Sequence, residues 1–276
     1  MSKGPGLYSD IGKKAKDLLT KDYNSDQKLT VSSYSTTGVA LTSTALKKGG
    51  LSTGDVAGQY KYKNTLIDVK IETASIINTT LTFTDLFPST KTIASIKLPD
   101  YSSGKLEVQY FHDHATLTSV ATLKQSPIFD VSATVGSPTL AFGAEAGYDT
   151  KSGSFTKYNT GISFTKLDSS ASVIIGDKGD SIKVSYLHHL DQIKKSAAVV
   201  DITRRFSTNQ NTITVGGSFA VDPLTQIKAR FNNQGKVGGL LQHELFPKSV
   251  LTISGEVDTK ALEKKPKFGL AIALKP

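Results

Sequence analysis

From about residue 27 onward, apolar and polar side chains alternate with a period of two almost to the end of the chain. In residues 66–72, Ile67, Val69 and Ile71 alternate with Asp68, Lys70 and Glu72. In residues 105–110, Leu106, Val108 and Tyr110 alternate with Lys105, Glu107 and Gln109, and in residues 227–232, Ile227, Ala229 and Phe231 alternate with Lys228, Arg230 and Asn232. In the last stretch Phe268, Leu270, Ile272 and Leu274 share one face, with Gly269, Ala271 and Ala273 on the other. Successive side chains of a strand point to opposite faces, so each segment reads as a strand with one apolar face and one polar or small face. Turn signals separate the segments at short intervals, among them Lys48-Gly49-Gly50, Ser102-Ser103-Gly104, Lys151-Ser152-Gly153 and Gln234-Gly235. Gly, Asn and Asp supply the positive φ that tight hairpins require. Strand starts are expected near residues 27, 38, 51, 65, 77, 90, 104, 114, 127, 139, 155, 168, 180, 193, 210, 224, 235, 247 and 266. That makes roughly 19 strands of about ten residues, a length that crosses a bilayer when tilted.

Residues 4–20 follow another period. Tyr8, Ile11, Ala15 and Leu18 sit at helical spacing, Leu19 broadens the stripe, and Asp10, Lys13, Lys14 and Asp17 fall on the other faces. An amphipathic helix is expected here, capped by Ser9 or Asp10 and supported by Asp10 four residues before Lys14. The chain therefore divides into an N-terminal helical segment, residues 1–26, and a β region, residues 27–276, with no linker within the latter.

An open sheet of so many hairpins would leave aggregation-prone edges, so the strands are expected to close into a barrel. A barrel this wide cannot be filled by side chains and holds a lumen. Alternation alone does not say which face points inward. The strand number favours apolar outward to lipid and polar inward to water, as does the placement of Lys70, Glu72, Lys105, Glu107, Lys183, Lys228 and Arg230 in mid-strand.

Composition narrows the classes further. Apolar residues make up 38%, low for a packed soluble core but sufficient where one strand face meets water. Apolar stretches such as Ile174-Ile175 and Ala197-Ala198-Val199-Val200 are far below the run a transmembrane helix needs. Met1-Ser2-Lys3-Gly4-Pro5-Gly6 has no apolar stretch of a secretory signal, which argues against an exported bacterial porin. There is no cysteine, and the net charge of +9 favours anionic partners: nucleic acid, anionic lipid or anionic metabolites.

Two stretches resemble the mitochondrial voltage-dependent anion channels, the eukaryotic porins. Gly6-Leu7-Tyr8-Ser9-Asp10-Ile11-Gly12-Lys13, followed by Ala15-Lys16-Asp17-Leu18, is similar to their N-terminal helix. Asp222-Pro223, Thr225, Ala229-Arg230-Phe231-Asn232-Asn233, Gly238 and Leu240-Leu241 are similar to their C-terminal signature, with Phe219 where Tyr or His is usual and Gly239 where an aliphatic residue is usual. Hairpin spacing matches over the whole chain, and the absence of Cys and Trp resembles plant members more than animal ones. This family is the known 19-strand case among membrane barrels, so the number belongs to the family as much as to the hairpins. The resemblance implies an all-β transmembrane barrel in the mitochondrial outer membrane. Its first and last strands, beginning near Lys28 and Lys267, would pair in parallel, with the N-terminal amphipathic helix inside the lumen. A lipid-facing Glu known on the fourth strand of some members has no counterpart among Ile67, Val69 and Ile71.

The function implied is a voltage-dependent, weakly anion-selective pore for passive diffusion of ATP, ADP, phosphate and ions. The expected selectivity residues are Lys13, Lys14 and Lys16 on the helix with Lys97, Lys105, Lys183, Lys228 and Arg230 on the wall; Tyr8, Ile11 and Leu18 are expected to dock the helix. No cofactor, metal or catalytic residue is expected. His112 and His114 share a strand face at i, i+2 but are read as interfacial or loop residues, and no Walker loop, serine elbow or zinc-finger spacing occurs. Membrane lipid and small anionic metabolites are the expected partners, and a homo-oligomer is compatible with them. The rival readings are a protein-translocating mitochondrial barrel and a soluble basic β protein binding nucleic acid. The second would want clustered basic residues with stacking aromatics, whereas Lys, Tyr and Phe are scattered here.

Overall fold

Alternation and turn chemistry together build a succession of hairpins. The structure, a computed structural model, describes residues 4–191, 195–261, 263 and 265–275. Among them are nineteen strands. The first ten are β1 (Gln27–Tyr34), β2 (Val39–Lys48), β3 (Leu51–Tyr62), β4 (Thr65–Glu72), β5 (Ile76–Thr84), β6 (Thr90–Leu98), β7 (Asp100–Phe111), β8 (Ala115–Thr122), β9 (Ile128–Gly136) and β10 (Leu140–Asp149). The rest are β11 (Ser154–Thr165), β12 (Ser169–Gly176), β13 (Ser181–His189), β14 (Ala197–Arg205), β15 (Gln210–Ala220), β16 (Thr225–Asn232), β17 (Lys236–Phe246), β18 (Ser249–Asp258) and β19 (Lys267–Leu274).

Each strand pairs antiparallel with its sequence neighbours, and β1 pairs in parallel with β19, from Gln27 beside Leu270 to Val31 beside Leu274. The sheet is thereby closed, and every strand has two partners, which is the condition for strands to cross a bilayer. At strand spacing of about 4.8 Å and the usual tilt, nineteen strands enclose a space roughly 35–40 Å across between backbones, far wider than facing side chains can fill.

Seventeen of the expected starts fall within two residues of the observed ones. The start expected near residue 193 falls on residues 192–194, outside the described residues; β14 begins at Ala197. The start expected near residue 104 is four residues late. Ser102-Ser103-Gly104 is not a turn: the chain turns at Pro99, Lys97 pairs with Asp100, and a bulge absorbs the mismatch. The Ser103 hydroxyl holds that bulge, accepting from the Lys97 amide at 2.8 Å and donating to its carbonyl at 2.9 Å. His112 and His114 likewise do not share a strand face; they sit in the turn between β7 and β8.

The N-terminal helix is broken where a continuous one was expected. A 3-10 turn covers Tyr8–Asp10, Gly12 takes φ +73°, and α1 runs from Lys13 to Thr20. That φ is open to glycine and strained for other residues, so the chain bends between the two pieces. Asp10 serves the 3-10 turn, accepting from the Leu7 amide, and its ion pair is with Lys13 at 3.3 Å rather than with Lys14.

Register carries each face around the closed sheet. Val56, Ile71 and Ile77 stand opposite one another on β3, β4 and β5, and residues of this parity, such as Leu41, Phe142, Tyr186 and Phe231, are exposed hydrophobics. They form the outward, lipid-facing band. The other parity carries the charges and the N-terminal segment. Ala15 and Leu19 of α1 pack with Leu187 and Val199 of β13 and β14, while Val184, Tyr186 and Ile202 on the opposite face of the same strands stay exposed. The Gly6 carbonyl accepts from Thr116 of β8, and the Asn24 carbonyl accepts from Ser254 of β18. A segment that touches such distant strands on one face of a closed sheet crosses the enclosed space.

Candidate functional site

The lumen is lined by two different walls. Along β9–β19 the N-terminal segment lies against the barrel in three contacts. Ile11, 6% exposed, fits over Gly143 and Gly161: a Cβ added at Gly143 would stand 3.0 Å from Ile11 and 2.7 Å from Tyr8, and one at Gly161 would stand 3.3 Å from Ile11. Leu19, 4% exposed, fits over Gly216, where an added Cβ would stand 2.7 Å from it. Beyond the helix, Tyr23 and Asn24 pass over Gly238 and Gly269. Glycines at inward strand positions thus form the floor on which the segment rests. Leu18 packs at the margin of the Leu19 cluster, and Tyr8 is half-buried. Burial first, and then the Glu145 carboxylate, push the Tyr8 phenol up to about 12, so it stays neutral at physiological pH.

Polar clamps complete the seat. Arg230 donates to the Leu19 carbonyl at the C-terminal end of α1, pairs with Glu256, and lies over the Tyr23 ring at 4.3 Å from the ring centre. A cation bonded to a terminal helix carbonyl is favourably placed against the helix dipole. Lys228 pairs with Asp22 at 3.4 Å, and Gln242 donates to the same carboxylate at 3.3 Å. Between α1 and the wall remains a cavity of about 340 Å³, bordered by Lys16, Lys183, Asp201, Arg230, Lys236 and Glu256 among others.

The eight basic residues singled out from the sequence all lie in the segment or at inward wall positions, and the structure sorts them into two groups. Lys183 pairs with Asp201 at 3.0 Å, Lys228 with Asp22, Arg230 with Glu256 and Lys13 with Asp10. Lys14, Lys16, Lys97 and Lys105 make no ion pair among the described residues. Two further inward clusters each hold one lysine between two carboxylates: Lys70 sits between Asp55 and Glu72 at 3.4 and 3.3 Å, and Lys157 between Asp130 and Glu145 at 3.3 and 3.2 Å.

Sequence reasoning did not single out the inward glycines, nor Leu187, Val199, Asp22 or Tyr23. A signal for the seat was present. The apolar stretches Ile174-Ile175 and 197–200 are places where both strand faces are apolar, and their inward members Ile174 and Val199 lie against the segment at Gly12 and at Leu19.

Comparison with known proteins agrees with this architecture. The eukaryotic porin family matches over residues 4–269. Mitochondrial outer membrane protein porin 2 of Arabidopsis thaliana is 66% identical over 276 residues, all of both chains. Mitochondrial outer membrane protein porin 5 of Oryza sativa subsp. japonica is 62% identical over 274 residues, 99% of each chain, and an outer plastidial membrane protein porin of Pisum sativum is 51% identical over the full length of both. A closed nineteen-strand wall, an outward band of exposed hydrophobics and an open lumen are what passage of small metabolites requires. The chain belongs to the eukaryotic porin family and forms a pore for metabolite diffusion in the mitochondrial outer membrane.

Proposed function

We propose that the pore is weakly anion-selective and voltage-dependent, passing ATP, ADP, phosphate and small ions. The observation that carries this reading is the sorting of the inward cations. Paired cations present little net charge to a passing ion, whereas Lys14, Lys16, Lys97 and Lys105 make no ion pair among the described residues. An excess of unpaired positive charge in a pore walled by low-dielectric material raises the local concentration of anions. The lumen is too wide for geometric selection, so the preference is weak and salt-screened.

Residues 1–26 act in this reading as the moving part and residues 27–276 as the wall. The segment carries Lys13, Lys14 and Lys16, and a charge crossing the membrane field is worth about 2.3 kcal/mol per 100 mV. The test is channel recording in a planar bilayer under a salt gradient. The parent protein gives large steps, partial closure at both signs of voltage, and a reversal potential on the anion side. Joint replacement Lys97→Glu and Lys105→Glu moves that reversal potential toward cations; an unmoved value overturns the assignment of these lysines. Deletion of residues 1–20 abolishes or flattens voltage closure; unchanged closure overturns the role of the segment.

A further inference from the structure

The outer face holds a groove at the parallel seam, of about 410 Å³. It is bordered by Leu29 of β1, Ala45 and Lys47 of β2, Ser52 of β3, and Leu270 and Ile272 of β19. Register explains its shape. Leu29 stands beside Ile272 on one side and Ala45 on the other, and Ala45 stands beside Gly54 of β3. Two small residues in succession leave a trough next to a ridge of large aliphatic ones. At the end nearest the Gly49-Gly50 turn, Gln27, Lys47 and Ser52 follow one another across three strands, so the apolar trough ends in a row of polar groups.

Lys47 is unusual in its setting. It is exposed, it points outward, and no other charged residue occupies an outward register position of β1–β6. Its neighbour Lys48 is paired with Asp26 at 3.7 Å, while Lys47 has no carboxylate partner among the described residues. A lysine one residue from a hairpin turn keeps its ammonium at headgroup level while its stem lies along the hydrocarbon.

We infer that the groove is a binding site for an anionic glycerophospholipid. One acyl chain lies in the trough over Ala45, against Leu29, Leu270 and Ile272, and the headgroup phosphate meets the Lys47 ammonium with the Ser52 hydroxyl and the Gln27 amide beside it. The acyl chain gains little by leaving one hydrocarbon environment for another, so the charge of the headgroup decides which lipid stays. A second copy of the chain fits the face less well. A symmetric contact here would bring two Lys47 side chains to the same apolar interface with no carboxylate to receive either.

The test uses the full chain reconstituted in vesicles, with photoactivatable phosphatidylglycerol or phosphatidylcholine of identical acyl chains and labelled peptides mapped by mass spectrometry. Phosphatidylglycerol enriches labelling of residues 45–54 and 268–272 over phosphatidylcholine, and Lys47→Gln lowers the enrichment by about fivefold. Ala45→Phe, which fills the trough, lowers labelling by both lipids. Unchanged single-channel conductance shows that both variants are folded. Equal labelling by the two lipids, or enrichment that survives Lys47→Gln, overturns the proposal. Because the chain has no cysteine, Ala45→Cys reports the competing occupant: disulfide-linked dimers forming in phosphatidylglycerol vesicles would place a second copy on this face and also overturn it.

Discussion

The two halves of the wall are built from the same alternating strands and the same hairpin turns, yet they differ in what meets their inner face. In β2–β6 no residue is buried. In β9–β18 the buried set includes Thr134, Ala141, Ser172, Ser185, Leu187, Val199, Asp201, Ser218 and Leu240. The difference tracks one residue type. The strand glycines at inward positions are Gly136, Gly143, Gly147, Gly161, Gly176, Gly216, Gly238 and Gly269, all in β9–β19, whereas Gly54 and Gly58 of β3 face outward. Removing side chains from the inner face lets a second layer approach the sheet closely, and the layer is the N-terminal segment. A barrel too wide to have a core thus acquires a small one on a single side, while the other side stays open to water.

Mutations can erase or sharpen that contrast. The largest expected effect is Leu19→Ala, which removes the most deeply seated large side chain of α1 and weakens docking by about 2–5 kcal/mol. With Ala15→Cys as reporter, an impermeant thiol reagent then labels residue 15 at least about thirtyfold faster than in the Leu19 parent; equal rates would show that the cluster does not hold the helix. Next comes Gly143→Val, whose added atoms meet Tyr8 and Ile11 and cost about 1–3 kcal/mol of docking. Gly58→Val, where an added Cβ meets only Leu41 at 3.7 Å, leaves the same labelling rate unchanged.

A smaller effect separates the cations of the two walls. Lys228→Gln loosens residues 22–24 by unpairing Asp22, which raises labelling at a cysteine replacing Asn24, but it shifts the reversal potential less than Lys97→Gln does. The reverse order would mean that paired lysines dominate the lumen potential. The smallest effect is Tyr8→Phe. The phenol is raised from 10.0 to about 12 in the docked state, so its stabilising contribution is complete below pH 10 and is lost as pH climbs toward 12. Labelling at residue 15 therefore accelerates across that interval in the parent and not in the Phe variant.

The order of the hairpins and the placement of Lys97, Lys105, Lys183, Lys228 and Arg230 on one face were legible in the chain itself, whereas the strand number, and the closure inferred from it, drew on the family resemblance as well. A period of two assigns a face to every residue locally, and a tight turn allows only an antiparallel neighbour. The resemblance to the porins supplied the parallel seam, which no local signal encodes, since β1 and β19 are separated by the whole chain. Two features resisted local reading. The bulge before Lys105 hid the early start of β7, because Ser103 bonds across the hairpin instead of turning within it. The break at Gly12 split a stripe that spacing alone makes continuous.

Tertiary structure alone decided which cations are free and which are engaged. Lys228 and Lys97 occupy equivalent inward positions in sequence pattern, but of the two only Lys228 makes an ion pair, with Asp22, brought from the far end of the chain by the docked segment. Alternation states toward which side of the sheet a side chain points. What it finds there depends on closure of the barrel and on the glycine floor that draws the N-terminal segment to one wall, and both are properties of residues far apart in the chain.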